Sequence, residues 1–245
     1  DLIGAMVDHV VETYFPHLAD APDRPAAMFA EVVTRTARLV ARWMAAGFVH
    51  GVLNTDNMVV TGESFDYGPW RFLPRNDPNF TAAYFDHSGL YAFGRQPEAA
   101  FWNLQQLAAC LVLVCPDQSG LIAALNRFSD AYKEGLREAV IARLAVKSRG
   151  AEADVELVNA AFKALAEGSK VEGGEALRSL SAALEQNGVT PEKAKILGTG
   201  LWDDTVTRAT PIAQGGWYAG VSPDMVQRFD SKYSSVYGAK PPRIA

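Results

Sequence analysis

Apolar residues recur at helical spacing through most of the chain. Ile3, Met6, Val7, Val10, Val11 and Tyr14 fall three or four apart and predict a helix within residues 2–18, closed by Pro16. After the turn ADAPDRP, Pro25 stands in the first turn of a longer helix, RPAAMFAEVVTRTARLVARWMAAG. Its stripe is Met28, Phe29, Val32, Val33, Thr36, Leu39, Val40, Trp43 and Met44, and Gly47 supplies the stop. Further helices are expected from Pro97 to Val114, over 118–148, over 152–167, over 174–187 after a link at Gly168–Gly174, and briefly from Thr190-Pro191-Glu192. From Gly198 onward little regular structure is expected. One stretch breaks the helical texture. VHGVLNTDNMVVTGESFDYGPW sets β-branched and aromatic residues around Thr61-Gly62 and predicts a hairpin of Met58–Val60 with Ser64–Asp66. Residues 67–96 follow as a long irregular segment, a length that is usually functional. The expectation is a mainly α chain with one short β-hairpin, divided into a core over 1–149 and a helical extension over 150–245.

Composition narrows the class. The 245 residues are 49% hydrophobic and 21% charged, enough for a sizeable core. A net charge of −5 argues against nucleic acid and anionic membranes as partners. No apolar run reaches the ~18 residues of a membrane span. Cytoplasmic residence is expected, or mitochondrial in a eukaryote. The segment LAACLVLVCP reads as a buried helix end, with Cys110 and Cys115 as small buried hydrophobes rather than a redox pair or zinc ligands. The first residue, Asp1, suggests a piece of a longer chain.

Candidate chemistry gathers at the expected hairpin. Magnesium takes oxygen ligands and leaves positions for water and phosphate. Asn57 before the first strand and Asp66 after the second would meet at one open end of the ladder. Asp56 beside them could deprotonate an attacking hydroxyl. The plainer alternative is that Asn54–Asn57 form a polar turn bonded to its own backbone. His50 is expected to be structural. Asp86-His87 shapes its loop rather than holding metal, and Arg71, Arg75 and Arg95 are solvated or meet phosphate. Trp43 and Trp102 are expected in the core. Lys147 and Arg149 would cap a helix C-terminus.

The order of segments resembles the C-terminal lobe of a protein-kinase-like fold. There a His-Arg-Asp or His-Gly-Asp loop carries an Asn five residues after the Asp, and Asp-Phe-Gly follows. Here His50-Gly51 is followed by Val52, which cannot accept a proton, then by Asn57 and Asp66-Tyr67-Gly68. With HGVLNTDNM, FDYGPWRFL, FDHSGLYAFGRQP and WNLQQLA together, the chain resembles the selenoprotein O family of protein adenylyltransferases, most closely over residues 1–115. That resemblance implies transfer of AMP from ATP to Ser, Thr or Tyr hydroxyls of protein substrates, with the nucleotide reversed relative to kinases. It implies Asp56 as proton acceptor, Asn57 and Asp66 as ligands of Mg2+ or Mn2+, and Asp66 near the ATP phosphates.

The chain also departs from the family. No Gly-rich segment, phosphate-binding Lys or Glu partner precedes the Pro25 helix, so an incomplete and inactive portion lacking the N-terminal lobe is expected. The tail VYGAKPPRIA has no cysteine or selenocysteine. Two rival readings are an atypical kinase transferring phosphate and a non-catalytic pseudokinase binding module.

Overall fold

The computed structural model describes residues 2–73 and 75–168, with short pieces at 181–182, 184–186, 197–198, 217–218 and 231. Six helices are described: α1 (Leu2–Tyr14), α2 (Arg24–Ala46), α3 (Gln96–Leu111), α4 (Ser119–Asn126), α5 (Phe128–Arg143) and α6 (Ala151–Gly168). Two-residue strands β1 (Phe48–Val49) and β2 (Arg71–Phe72) pair antiparallel, Phe48 opposite Phe72. A parallel pair joins β3 (Leu197–Gly198) and β4 (Trp217–Tyr218). Contacts group the chain into two units, residues 1–159 and 160–245. The expected helices at 174–187 and after Thr190 and the irregular tail lie largely outside the described residues. No described helix is long and apolar enough to cross a membrane.

The first unit is built around α2. The Asp23 carboxylate accepts from the Ala26 N–H at 3.0 Å and caps its start, with Pro25 in the first turn. Gly47 ends it at φ 65°, a left-handed turn that glycine enters without strain. Met28, Phe29, Val32, Val33 and Ala37 pack against Val7 and Val11 of α1, Leu104 and Leu111 of α3, and Leu121 of α4. Further along, Leu39, Val40 and Trp43 enclose Phe48, Leu53 and Ala100. Each fully buried aliphatic or aromatic side chain in such a core contributes ~1.5–3 kcal/mol.

Several sequence expectations change. The ladder lies outside the Thr61-Gly62 turn: β1 and β2 bracket residues 50–70, and neither 58–60 nor 64–66 is a strand. The turn itself forms, with the Gly62 N–H on the Val59 carbonyl at 3.1 Å. Its flanks are held by side chains instead: the Asn103 amide nitrogen lies 3.0 Å from Met58 Sδ, and Trp43 Nε1–H donates to Ser64 Oγ at 2.8 Å. The single helix expected over 118–148 is two, α4 and α5, so Lys147 and Arg149 stand beyond its end rather than capping it. Trp102 is 53% exposed on α3, while Trp43 is buried. The LAACLVLVCP segment is not wholly buried: Cys115 is, but Cys110, Val112 and Leu113 face solvent.

After α5, a polar knot secures the start of α6. Asp154 accepts from Ser148 Oγ at 2.6 Å, the Arg149 N–H at 2.9 Å and Arg137 Nη1 at 2.5 Å. The Ser148 and Arg149 hydrogen bonds, then Arg137, hold its carboxyl below the ordinary 3.8. The folded chain therefore binds fewer protons here than the unfolded chain. This contribution is complete above the ordinary value and fades as pH falls through the folded one. Asp154→Asn should flatten the loss of stability between about pH 5 and pH 2 relative to wild type, measured by urea denaturation.

The N-terminal end of α3 carries the second polar anchor. Gln96 is fully buried, and its carboxamide accepts from the His50 N–H and donates to the Phe48 carbonyl, both at 2.9 Å. Gln96→Ala strands both backbone groups in the core. It should cost about 2–4 kcal/mol, read as a lower urea midpoint.

Candidate functional site

The loop after β1 is fixed from below before it presents any side chain outward. Gly51 turns at φ 89°, and a β-carbon there would come within 3.0 Å of both Ala82 and Pro69. Leu53 is buried, and its carbonyl accepts from Asn103 Nδ2 of α3 at 2.8 Å. The chain then makes a 3-10 turn over Thr55–Asn57. Asp56 is exposed at its centre, and its carboxylate has no protein partner among the described residues.

Asn57 is oriented rather than free. A backbone carbonyl only accepts, so the Asn57 atom 3.3 Å from the Val52 oxygen is the amide nitrogen. The side-chain oxygen is left available. The polar-turn alternative is met only in this one bond; the Asp56 carboxylate does not fold back on the loop.

Asp66 is reached by a separate route. His50 is buried, and its Nε2 lies 2.6 Å from the Phe65 carbonyl. Nε2 therefore carries a proton and donates, while Nδ1 is buried with no hydrogen-bond partner among the described residues. Trp43 packs against the imidazole at 5.4 Å between ring centroids. The bond ties the residue before Asp66 to the base of the Asp56 loop. Asp66 itself has φ 50°, a left-handed conformation that Asp tolerates better than most residues, closed by a Gly68 N–H bond to its carbonyl at 2.8 Å. Its carboxylate is exposed and unpaired among the described residues.

Residues 79–95 add a second wall. Asp86 accepts from the Leu90 and Tyr91 N–H groups, both at 2.8 Å, and so folds its loop upon itself, the shaping role expected of it. Tyr91 donates its hydroxyl to Asn54 Oδ1. Burial, then the charges of Asp86 and Asp56, holds the phenol above its ordinary 10.0, so it stays a donor. Asp56 is thus close enough for Tyr91 to sense. A polar cavity of about 470 Å³ opens in this loop, lined by Thr81, Tyr84, Asp86, His87, Ser88 and Arg95 among others. Arg95 pairs with Glu98 at 3.2 Å.

The available donors are two carboxylates and one amide oxygen, all hard oxygen ligands, with no imidazole or thiolate among them. Such a set fits Mg2+ or Mn2+ and not a structural zinc site. Among the described residues no group of three or more His, Cys, Asp or Glu side chains could hold a metal unaided. The sequence patterns missed Gln96, Asn103 and Tyr91. An amide on the buried face of an apolar helix was the available signal, because a buried amide demands partners.

Sequence comparisons identify relatives of this chain. A Synechococcus protein named protein nucleotidyltransferase YdiU is 49% identical over 154 residues, 63% of this chain and 30% of that protein. A Trichormus variabilis protein of the same name is 44% identical over 167 residues, covering 68% of this chain and 34% of its own length. One from Gloeobacter violaceus is 46% identical over 165 residues, 67% and 34%. The chain thus spans about a third of the length of these relatives. The family model described as protein adenylyltransferase SelO matches residues 1–235, and the chain belongs to that family.

Proposed function

We propose that this chain is the base- and metal-bearing portion of a protein adenylyltransferase with a kinase-like C-terminal lobe, moving AMP from ATP to hydroxyl groups of proteins. The observation that carries the reading is the Asn57 side chain. Its nitrogen is committed to the Val52 carbonyl, which leaves its oxygen without a protein partner among the described residues, next to the exposed Asp56. Family membership and the relatives' shared name, protein nucleotidyltransferase, support the reaction class.

In this reading Asp56 accepts the proton of the acceptor hydroxyl. The new bond joins that oxygen to the α-phosphorus of ATP, the bond from the α-phosphorus to the bridging oxygen breaks, and pyrophosphate leaves. Asn57 and Asp66 would hold a divalent cation, whose positive charge would offset the charge developing on the phosphates. His50 keeps Asp66 in place through Phe65, and Tyr91 holds Asn54 at the flank of the base. The nucleotide-gripping groups belong to other parts of the longer protein.

Two outcomes follow. The isolated chain should bind ATP weakly and only with Mg2+ or Mn2+, measured by calorimetry, and Asn57→Ala and Asp66→Ala should each abolish that binding. Cation-independent ATP binding that both variants retain would remove the metal role. A longer protein carrying this chain with the remaining segments of its relatives should label proteins from α-labelled but not γ-labelled ATP. There Asp56→Ala should slow labelling about 10²–10⁴-fold. Label from γ-labelled ATP would instead support a phosphoryl-transferring kinase, and no label from either ATP, with protein binding unchanged in all three variants, a binding module.

A further inference from the structure

A second cavity lies away from the loop site, in the groove between α2 and α5. These helices approach closely because Gly135 has no side chain: a β-carbon there would meet Ala41 Cβ and Arg38 Cα at 3.2 Å. Gly135, Ala139 and Ala142 give the groove a low apolar floor of about 370 Å³. That volume is at the small end of ligand pockets, which run roughly 300–1,000 Å³.

The rim has the opposite character. Arg38 and Arg42 stand on α2 one turn apart, and Arg143 stands in the last turn of α5. Glu138 is the carboxylate in the lining, 3.9 Å from Arg38. Neither Arg42 nor Arg143 has a hydrogen-bond or ion-pair partner among the described residues. Three guanidiniums thus face one carboxylate, a local excess of two positive charges on a chain whose net charge is −5. An exposed patch of that sign on an acidic protein selects for dianions, and guanidinium forks match phosphate oxygens in pairs.

We propose that the α2–α5 groove binds a small phosphate monoester, with Arg42 and Arg143 gripping the phosphate and the Gly135–Ala139–Ala142 floor receiving a flat organic body. A nucleoside 5′-monophosphate has the required charge, planarity and size. Arg38, already engaged with Glu138, is the adjustable member. The site does not depend on the Asp56 loop and adds a binding function to the opposite side of α2's apolar stripe.

The test is calorimetric titration of the whole chain with AMP at low salt, with adenosine and inorganic phosphate as the other arms. Saturable binding of AMP, at least about tenfold tighter than of either half alone, is expected from joining the two contacts. Arg42→Ala/Arg143→Ala should weaken it about tenfold or more, as befits lost charge-assisted bonds. Arg42→Lys/Arg143→Lys should recover part of the loss, and Glu138→Gln should tighten binding by removing the one opposing charge. Asn57→Ala/Asp66→Ala should leave it unchanged, which separates this groove from the loop site. The arginines are exposed, so circular dichroism should show all these variants folded. AMP that fails to bind saturably below about 5 mM (about −3 kcal/mol) overturns the proposal. So does binding indifferent to the arginine pair, or lost with Asn57 and Asp66.

Discussion

The first unit depends on polar side chains acting as backbone partners where the sheet is too short to do so. Two paired residues in each strand satisfy only a few peptide groups. The chain leaving β1 then runs into the core, where an unpaired N–H or carbonyl costs about 1–3 kcal/mol. Gln96 meets this need with one carboxamide, accepting from His50 and donating to Phe48 as a neighbouring strand would. Asn103 repeats the device about two turns later at Leu53. Helix α3 thereby carries the loop above it, and the position of Asp56 and Asn57 is set by amides that touch no substrate.

This arrangement separates support from chemistry. The supporting groups, His50, Gln96 and Asn103, are buried and hydrogen-bonded, and each reaches backbone. The proposed reactive groups, Asp56 and Asp66, are exposed and unpaired within the described protein. Asn57 stands between the two classes, with the nitrogen of its amide on the scaffold and the oxygen without a hydrogen-bond partner among the described residues. A carboxylate left unbonded in water is inexpensive to keep, and its lone pairs stay free for a cation or a proton.

What could be read from sequence divides along the same line. Helix α2 was legible because its stripe, Pro25 and Gly47 all agree with one another. Asn57 and Asp66 were singled out by their order with His50, and the structure gives Asn57 a bond to Val52 and Asp66 a left-handed turn. The hairpin was not legible, because Met58, Val59 and Val60 have strand-forming side chains but are consumed by tertiary packing. Met58 sits on Asn103, and Val60 packs against the α1–α2 core. Trp102 misled for the converse reason: it falls at helical spacing, yet its face of α3 meets solvent. Spacing identifies a face but not what covers it.

The crowding at Gly51 has a consequence of its own. Ala82 and Pro69 approach that α-carbon so closely that the space holds a hydrogen and nothing larger. Two stretches distant along the chain, one leading from Asp66 and one leading to Tyr91, are therefore wedged against the same point. Any residue with a side chain there would press on both stretches at once, so a change at this single position would be felt on both sides of the Asp56 loop.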